Sequence, residues 1–394
     1  MFQIGRTHKL VRTLAATGLL LLAAGCGGNN HSEPLPVAST QVNNGQAANV
    51  KVDDFVQSEL KRQNIPGLAL VVQQDGKVVY SKGYGYANLE QAIPATAEQR
   101  FQIGSISKQF SAAAVMLLVE EGKMALDDKI GRHLGAVPPE WDSITVRHIL
   151  THTSGLPRDL DPALEAVARV HGAYTTEQVL AILKDYKPVT PPGAQYAYSN
   201  VGYQLMGVII EKVTGSFYGD MIQNRIFKPL GMTTARIIDF HDLSGTATGY
   251  MMEDNKLKAL DMARMPAGIQ TYYRSGAGGI EMSALDLAKW DASLSTEKIL
   301  KKSSIDQMWA PGALVEKGSN YTISYGLGWV ISDFNGHPKV YHSGGMAAFS
   351  TDYLHYTNDK LTVIVLTNLG IVADPERISR AVSEMYVPGT WPPK

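Results

Sequence analysis

The 394-residue chain contains a single cysteine, Cys26. One thiol excludes intramolecular disulfides and thiolate metal sites, and it argues against cysteine catalysis. The formal net charge is only −1, and no run of basic residues follows the N-terminal segment. The chain therefore lacks the electrostatic signature of nucleic-acid binding. The pattern Gly-x-Ser-x-Gly is also absent, so nothing supports the nucleophile turn of an α/β-hydrolase.

The N-terminal segment has the parts of a secretory signal. Basic residues precede an apolar run over residues 14–24, which is too short to cross a bilayer core of about 30 Å. Small residues then lead into Cys26, as in a bacterial lipobox, although Ala23 stands where that pattern more often has Leu. We predict a lipoprotein signal peptide over residues 1–25 and a lipid on Cys26 that anchors the protein in a bacterial membrane, on its periplasmic or extracellular face. Plain secretion is the alternative.

The composition changes after the signal. Residues 26–50 are rich in Gly, Asn, Pro and Ser and have almost no large apolar side chains, which is typical of a flexible tether. The remaining domain, residues 51–388, is long enough to bury roughly three quarters of its unfolded surface. We therefore expect one large domain or two interleaved ones.

Strand patterns occur at both ends of this domain. Residues 67–87 predict two strands joined at the Asp75-Gly76 turn. Four more strands are predicted near the other end, and a final helix is predicted to begin near Pro375. The four strands fall within residues 325–333, 339–345, 349–357 and 361–370.

The middle of the domain has helical periodicity instead. Residues 107–122, 200–215 and 283–290 carry apolar side chains at helical spacing or an N-terminal capping pattern. We predict an α+β fold in which N- and C-terminal strands form one antiparallel sheet flanked by helices, with a mostly helical subdomain over roughly 135–270. A binding cleft is expected between these parts.

The pattern Ser-x-x-Lys occurs three times, beginning at Ser58, Ser105 and Ser295. Only at Ser105 does a glycine precede the serine and an apolar helix pattern follow it. Residues three apart share a helix face, so Lys108 can reach the Ser105 hydroxyl there. A lysine in a partly buried apolar site loses its proton near neutral pH, because desolvation disfavours the charged form. The other two serines lie among charged residues, which is typical of solvated helix faces.

A hydroxyl nucleophile also needs a group that passes the proton to the leaving group. Tyr198 and Asn200, just before a predicted helix, offer a phenol and an amide. The sequence His-Ser-Gly-Gly follows at a predicted strand end, at His342, Ser343, Gly344 and Gly345. These glycines allow a substrate to lie against the strand, and the Gly345 N–H can point at an oxyanion.

Two histidines four residues apart, His148 and His152, have the spacing of a helical zinc site. No glutamate follows His148 as the His-Glu-x-x-His pattern requires. We therefore expect both rings to pack around the adjacent turn, and we predict neither a metal nor a cofactor.

The order of these motifs resembles that of the serine β-lactamase and DD-peptidase superfamily, particularly its class C-like branch. That branch includes D-aminopeptidases and β-lactamase-like esterases. Its pattern of Ser-x-x-Lys, Tyr-x-Asn and Lys- or His-x-Gly is matched in order at Ser105, Tyr198 and His342. Flanking segments such as the one at 149–157 are also similar, and the resemblance extends over about residues 53–386.

This resemblance implies a serine hydrolase in which Ser105 attacks a carbonyl and forms an acyl-enzyme. Lys108 and Tyr198 would share the general acid and base work, and which of them takes the first proton stays open. Asn200 would hold Lys108 and contact the acyl amide. The N–H groups of Ser105 and Gly345 would form the oxyanion hole. The remaining substrate-binding residues would be His342, Ser343 and Gly344.

His342 departs from the lysine of typical β-lactamases. An imidazole of ordinary pKa, about 6.5, is charged only a minority of the time at pH 7, so it is a poor partner for a substrate carboxylate. We therefore expect short esters or D-amino-acid-containing peptides as substrates, with β-lactam turnover rising as the pH falls towards 6. The alternatives are a class C-like β-lactamase and a non-enzymatic lipoprotein that binds penicillin or cell-wall peptides.

Overall fold

The computed structural model describes residues 46–159, 175–264 and 274–390. The predicted signal peptide, Cys26 and most of the predicted tether lie outside these ranges. The described residues belong to one compact unit, which spans residues 37–394. Within them, no helix combines the length and the apolar character that crossing a membrane requires.

The strands of the described residues form one large antiparallel sheet and two small ones. The large sheet has nine strands in the order β3-β2-β1-β14-β13-β12-β11-β10-β9. The small sheets have the orders β4-β8-β5 and β6-β7. The strands are β1 Gly67–Gln74, β2 Lys77–Asn88, β3 Ile93–Pro94, β4 Phe101–Gln102, β5 Arg236–Ile237, β6 Tyr250–Glu253, β7 Lys256–Ala259, β8 Ile280–Met282, β9 Ala313–Lys317, β10 Thr322–Tyr325, β11 Val330–Phe334, β12 His337–Met346, β13 Phe349–Tyr356 and β14 Leu361–Thr367.

The helices fall between the strand-rich ends and at both borders of the domain. A short 3-10 turn at Gly104–Ile106 leads directly into α2. The helices are α1 Gln46–Gln63, α2 Ser107–Glu120, α3 Gly131–Leu134, α4 Val146–Leu150, α5 Thr176–Leu183, α6 Asn200–Thr214, α7 Tyr218–Ile222, α8 Ala284–Ser293, α9 Lys302–Met308 and α10 Pro375–Tyr386.

The first and last long strands of the domain lie side by side. Strand β1 pairs antiparallel with β14, from Leu68 opposite Thr367 to Gln74 opposite Leu361. Strand β1 pairs with β2 on its other edge. The prediction that N- and C-terminal strands share one antiparallel sheet is therefore confirmed.

Each face of the large sheet is covered by a different set of helices. Side chains alternate along a strand, so Tyr353 on β13 packs with the helices of the middle segment, whereas Leu354 packs with α1 and α10. Val56 on α1 and Ile378 on α10 are fully buried against that second face. The 3-10 turn that precedes α2 packs against strand β12.

Four features of the fold differ from the predictions. Helix α1 begins at Gln46, inside the predicted tether, because its apolar residues pack on the sheet. The predicted strand over 325–333 is two strands separated by a turn at 326–329, and strand β9 was not predicted. Strand β9 has no hydrophobic alternation to reveal it, since it is a short edge strand with largely exposed side chains. The described part of the predicted helical subdomain also contains short strands, β5 to β7.

Candidate active site

Ser105 lies in the 3-10 turn that begins helix α2, and glycines allow this turn to pack against strand β12. Gly104 has a φ of +54°, and a Cβ placed there would lie 2.8 Å from the backbone nitrogen of Gly345. A Cβ on Gly344 would lie 2.0 Å from the carbonyl oxygen of Ile103. A side chain at either position would force the turn and the strand apart. The two glycines thus bring the backbones of Ser105 and Gly345 together, as an oxyanion hole requires.

The amino group of Lys108 is directed at the Ser105 side chain. Its Nζ atom lies 3.0 Å from Ser105 Oγ, 2.8 Å from Asn200 Oδ1 and 2.7 Å from the carbonyl oxygen of Ala277. The side chain is fully buried. Burial lowers the pKa of Lys108 well below its ordinary value, although the nearby carboxylate of Asp159 opposes this shift. The lysine can therefore hold its neutral form and accept a proton.

Tyr198 approaches the same hydroxyl from another side. Its OH donates to Ser105 Oγ at 2.8 Å. Lys108 Nζ lies 4.9 Å from the centre of the Tyr198 ring. Burial raises the pKa of Tyr198, so the side chain stays a phenol. One hydroxyl thus contacts both a lysine and a phenol that can exchange protons with it.

Asn200, the first residue of α6, joins the lysine to a carboxylate. Its Oδ1 accepts from Lys108, and its Nδ2 donates to Asp159 Oδ1 at 2.6 Å. The preceding residue, Ser199, caps the helix by accepting from the backbone N–H of Gly202. This cap fixes the start of α6 and with it the direction of the Asn200 side chain.

His342 is placed differently from the prediction that it faces the substrate. The residue is only 4% exposed, and both ring nitrogens already have partners. Its Nδ1 lies 2.7 Å from the carbonyl oxygen of Ser343, and its Nε2 lies 2.9 Å from the hydroxyl of Tyr325. A carbonyl only accepts, so Nδ1 carries the proton and the Tyr325 hydroxyl donates to Nε2.

Burial lowers the pKa of His342 to about 3. The imidazole is therefore neutral at pH 6 as well as at pH 7. The expectation that acidification to pH 6 would charge this residue is wrong, because its ordinary pKa applies only to a solvated ring.

The three residues after His342 form the exposed part of the strand end. Ser343 and Gly345 are exposed, whereas Gly344 is buried against the start of α2. No described atom lies within 4 Å of the position that a Cβ on Gly345 would take. Ser343 and Gly345 thus border open space beside Ser105, where a substrate carbonyl can enter.

His152 was not assigned to this site, yet it supports Tyr198 closely. Its ring is fully buried, and its centre lies 4.1 Å from that of Tyr198. Its carbonyl oxygen accepts from Ala197 N–H at 2.7 Å, and its Nδ1 accepts from Ser199 N–H at 3.0 Å. His152 therefore holds the backbone on both sides of Tyr198. His152 packs in its turn as expected, but its contact with Tyr198 was not predicted.

The other histidine and the other serines serve local structure. His148 completes a capping box with Thr145 at the start of α4. Ser58 and Ser295 donate to carbonyl oxygens three residues earlier in the chain, at 2.7 and 2.9 Å. Among the described residues, no group of three or more His, Cys, Asp or Glu side chains is arranged to hold a metal ion.

Comparisons with known proteins agree with this geometry. A sequence profile of the family described as Beta-lactamase matches residues 52–382, which include every residue of the site. Penicillin-binding protein 4* of Bacillus subtilis (strain 168) is 29% identical over 314 residues, which cover 76% of this chain and 67% of that protein.

Solved structures show the same fold. The octameric penicillin-binding protein homologue from Pyrococcus abyssi matches with a TM-score of 0.76 and 31% identity, covering 86% of this chain and 77% of that chain. A D-stereospecific amidohydrolase from Streptomyces sp. matches with a TM-score of 0.69 and 25% identity, covering 86% of this chain and 98% of that chain.

Proposed function

Because this chain belongs to the Beta-lactamase family and is a serine hydrolase of that family, we propose that it cleaves short esters or D-amino-acid-containing amides through an acyl-enzyme on Ser105. One observation supports the proposal above all others. The Ser105 hydroxyl lies within hydrogen-bond distance of both Lys108 Nζ and the Tyr198 hydroxyl. A protein that only binds a peptide needs no such pair around a hydroxyl.

Acylation begins with neutral Lys108 as the base. Lys108 takes the Ser105 proton as Oγ attacks the carbonyl carbon of the substrate, and the carbonyl oxygen becomes an oxyanion. The N–H groups of Ser105 and Gly345 would stabilise that charge, and one such donor is worth roughly 10²–10³ in rate. The bond to the leaving group then breaks. Tyr198 gives its hydroxyl proton to the leaving group and recovers one from Lys108.

Deacylation reverses these roles. Water attacks the ester carbon of the acyl-enzyme and loses a proton to the Tyr198 and Lys108 pair. The second tetrahedral intermediate collapses, Ser105 Oγ leaves and takes that proton back, and the carboxylic acid product departs. The high pKa of the Tyr198 phenol supports its role as a relay, with Lys108 as the base.

The state of His342 supports esters and amides over β-lactams. Penicillins and cephalosporins carry a carboxylate beside the reactive ring, and a buried neutral imidazole gives that carboxylate no cation. The amidohydrolase from Streptomyces sp. supports the proposed preference for D-amino-acid amides.

The test is a substrate panel on the purified full-length chain. We expect kcat/KM for p-nitrophenyl esters or D-amino-acid amides to exceed that for nitrocefin, with D-Ala-D-Ala peptides as a further comparison.

A fluorophosphonate should label Ser105, and Ser105→Ala should remove the label, whereas Ser58→Ala should keep it. A label on Ser107 or Ser343, or nitrocefin as the fastest substrate, would contradict the proposal.

We also propose that the enzyme is a lipoprotein anchored through Cys26 on the periplasmic or extracellular face of a bacterial membrane. The proposal is supported by the basic, apolar and small-residue order of residues 1–26. Cys26→Ser should release the protein from membranes or leave its signal uncleaved. Normal processing with unchanged membrane attachment would refute the anchor.

A further inference from the structure

Met346 provides the first side chain after the two glycines at the end of the active-site strand. Strand β12 ends at Met346, directly after Gly345, whose N–H is the expected oxyanion donor. Gly344 and Gly345 have no side chains with which to anchor this strand end. Across the hairpin that joins β12 to β13, Met346 lies opposite the buried residue Phe349. The packing of the Met346 side chain therefore helps to fix the backbone at Gly345.

The groups around the Met346 side chain are apolar. It packs against a small cluster that consists of the buried residues Ile238, Phe240 and Met262, and it also packs against the main core. A thioether suits such surroundings because it is flexible, polarizable and only weakly polar. A polar atom added to the sulphur would either leave this packing or stay without a hydrogen-bond partner, and both cost free energy.

The Met346 thioether also borders the segment that holds Lys108. A Cβ placed on Gly278 would lie 3.7 Å from Met346 Sδ and 3.6 Å from the carbonyl carbon of Gly104. The residue before Gly278 is Ala277, whose carbonyl oxygen accepts a hydrogen bond from Lys108 Nζ at 2.7 Å. The Met346 side chain is therefore adjacent to two parts of the active site, the oxyanion donor at the end of β12 and the carbonyl group that holds the lysine.

Solvent reaches Met346, in contrast to most methionines of the described residues. The described methionines that are not buried are Met251, Met252, Met346 and Met385. Met251 and Met252 lie on β6, and Met385 lies on α10, which covers the opposite face of the large sheet. Of these four, only Met346 lies in a segment that contributes to the active site. An oxidant in solution can therefore reach a sulphur atom that supports the catalytic groups.

We propose that Met346 is an oxidation site at which a peroxide slows the enzyme by converting the thioether to a sulfoxide. The sulphur attacks one oxygen of hydrogen peroxide, the S–O bond forms as the O–O bond breaks, and the second oxygen leaves as water. The thioether loses two electrons and the peroxide gains them. The polar sulfoxide disturbs the apolar packing and displaces Gly345 and Ala277. Met346 is thus a positioning residue, and the inference rests on the proposed function because it concerns the same site.

The test follows the full-length enzyme during treatment with hydrogen peroxide, with a p-nitrophenyl ester as substrate and peptide mass spectrometry to locate each sulfoxide. We expect kcat to fall about tenfold as Met346 is oxidised, with little change in KM. The loss should be smaller than the 10²–10³ that removal of one oxyanion donor costs, because the donor is displaced and not removed. The two methionine sulfoxide reductases, one for each sulfoxide epimer, should restore kcat. Circular dichroism checks that the treated enzyme stays folded.

Three variants locate the effect, and each is compared with its own untreated activity. Met346→Leu keeps an apolar side chain without sulphur, so its activity should resist peroxide. Met251→Leu is the matched control, because it removes an exposed methionine on β6, and it should lose activity as wild type does. Met346→Gln places a polar amide in the same packing, so its kcat should be below that of wild type before any treatment.

Fluorophosphonate labelling distinguishes this inference from the proposed function. The initial rate of labelling at Ser105 depends on the same positioned groups but not on the choice of substrate, and it should slow when Met346 is oxidised. Equal peroxide losses in wild type and Met346→Leu, or full activity with Met346 oxidised, would overturn the role of Met346 and leave the proposed function standing. An untreated enzyme that is not labelled at Ser105 would refute the proposed function, and the role of Met346 with it.

Discussion

Two buried lysines, on opposite faces of the same sheet, differ in what surrounds them. Lys108 on α2 is fully buried, and Lys339 on β12 is 5% exposed. Burial lowers the pKa of both, in the case of Lys339 to about 8. By pKa alone, each is a candidate for a catalytic base.

The two lysines differ in the chemical groups that surround them. Lys108 contacts neutral oxygen atoms, one of which is the hydroxyl of Ser105 at the start of a helix. Lys339 lies over the rings of Tyr341 and Tyr356 and beside Asp352, whose pKa is raised by burial and by the charge of Glu376.

The hydroxyl of this second cluster, Ser379, donates to Asp352, so it is held by an acid and not by a base. A lowered lysine pKa therefore does not identify a catalytic site. What identifies it is a hydroxyl within reach of the lysine, next to open space and backbone donors.

Matched substitutions of the two lysines should produce the largest contrast. Lys108→Met should lower kcat/KM for a p-nitrophenyl ester by at least 10³, about 4 kcal/mol of transition-state stabilisation. Lys339→Met should change it by less than about threefold and act mainly on the free energy of unfolding. Steady-state kinetics with circular dichroism as a folding control measure both effects. Comparable losses of kcat/KM in the two variants would contradict a catalytic role that is specific to Lys108.

The tyrosines beside the lysines provide a second matched pair. Tyr198→Phe keeps the ring but removes the hydroxyl that contacts Ser105, so kcat should fall about 10²-fold, near 3 kcal/mol. Tyr356→Phe, beside Lys339, removes a hydroxyl that contacts Ser383 and should leave kcat near wild type. A Tyr198→Phe enzyme with full kcat would show that another group relays the proton.

The pH dependence of the unfolding free energy tests the burial of His342. In the unfolded chain a histidine takes up a proton below about pH 6.5, whereas folded His342 stays neutral down to about pH 3. Acidification from about pH 6.5 to about pH 3 therefore destabilises the folded state relative to the unfolded state. Between pH 7 and pH 5, wild type should lose about 2 kcal/mol more unfolding free energy than His342→Gln. Urea unfolding at both pH values measures this difference, with His241→Gln as the exposed control. Equal losses would place His342 in a solvated environment.

The smallest effect is expected at His152, which acts only through Tyr198. His152→Phe keeps an aromatic ring but removes the acceptor of Ser199 N–H. We expect kcat to fall about tenfold, near 1.4 kcal/mol, with little change in KM, because the phenol is less well positioned. A change confined to KM would indicate that His152 shapes the substrate pocket instead.

The sequence predicted those features that depend on local periodicity or on the order of motifs. Apolar stretches bounded by turn residues marked β1 and β14, and helical spacing marked α2 and α6. The glycines of the His-Ser-Gly-Gly segment were visible as residues that permit close approach to the strand, and Gly104 was visible as the residue before a helix start. Strand β9 was not predictable in this way, since an edge strand exposed on both faces has no apolar pattern.

The electrostatic state of the site could not be predicted, because it depends on partners distant in the chain. The pKa of His342 is lowered by the burial of its ring, and that ring contacts Tyr325, which lies 17 residues earlier in the chain. The contact between His152 and Tyr198, like that between Asp159 and Asn200, joins segments more than forty residues apart. One signal was available: His152 and Asp159 flank the Ser-Gly-Leu-Pro segment, which belongs to one of the stretches that resemble the family.

The pairing of β1 with β14 also affects when the enzyme can fold. Leu68 and its partner Thr367 lie at opposite ends of the domain, so the central ladder of the sheet cannot form until nearly the whole polypeptide has been synthesised. Contacts this distant in sequence slow folding, because a long loop must close before they contribute stability. A nascent chain that lacks β14 leaves β1 and β13 with unpaired edges. Such late completion leaves the large sheet without its central ladder for most of the polypeptide's synthesis.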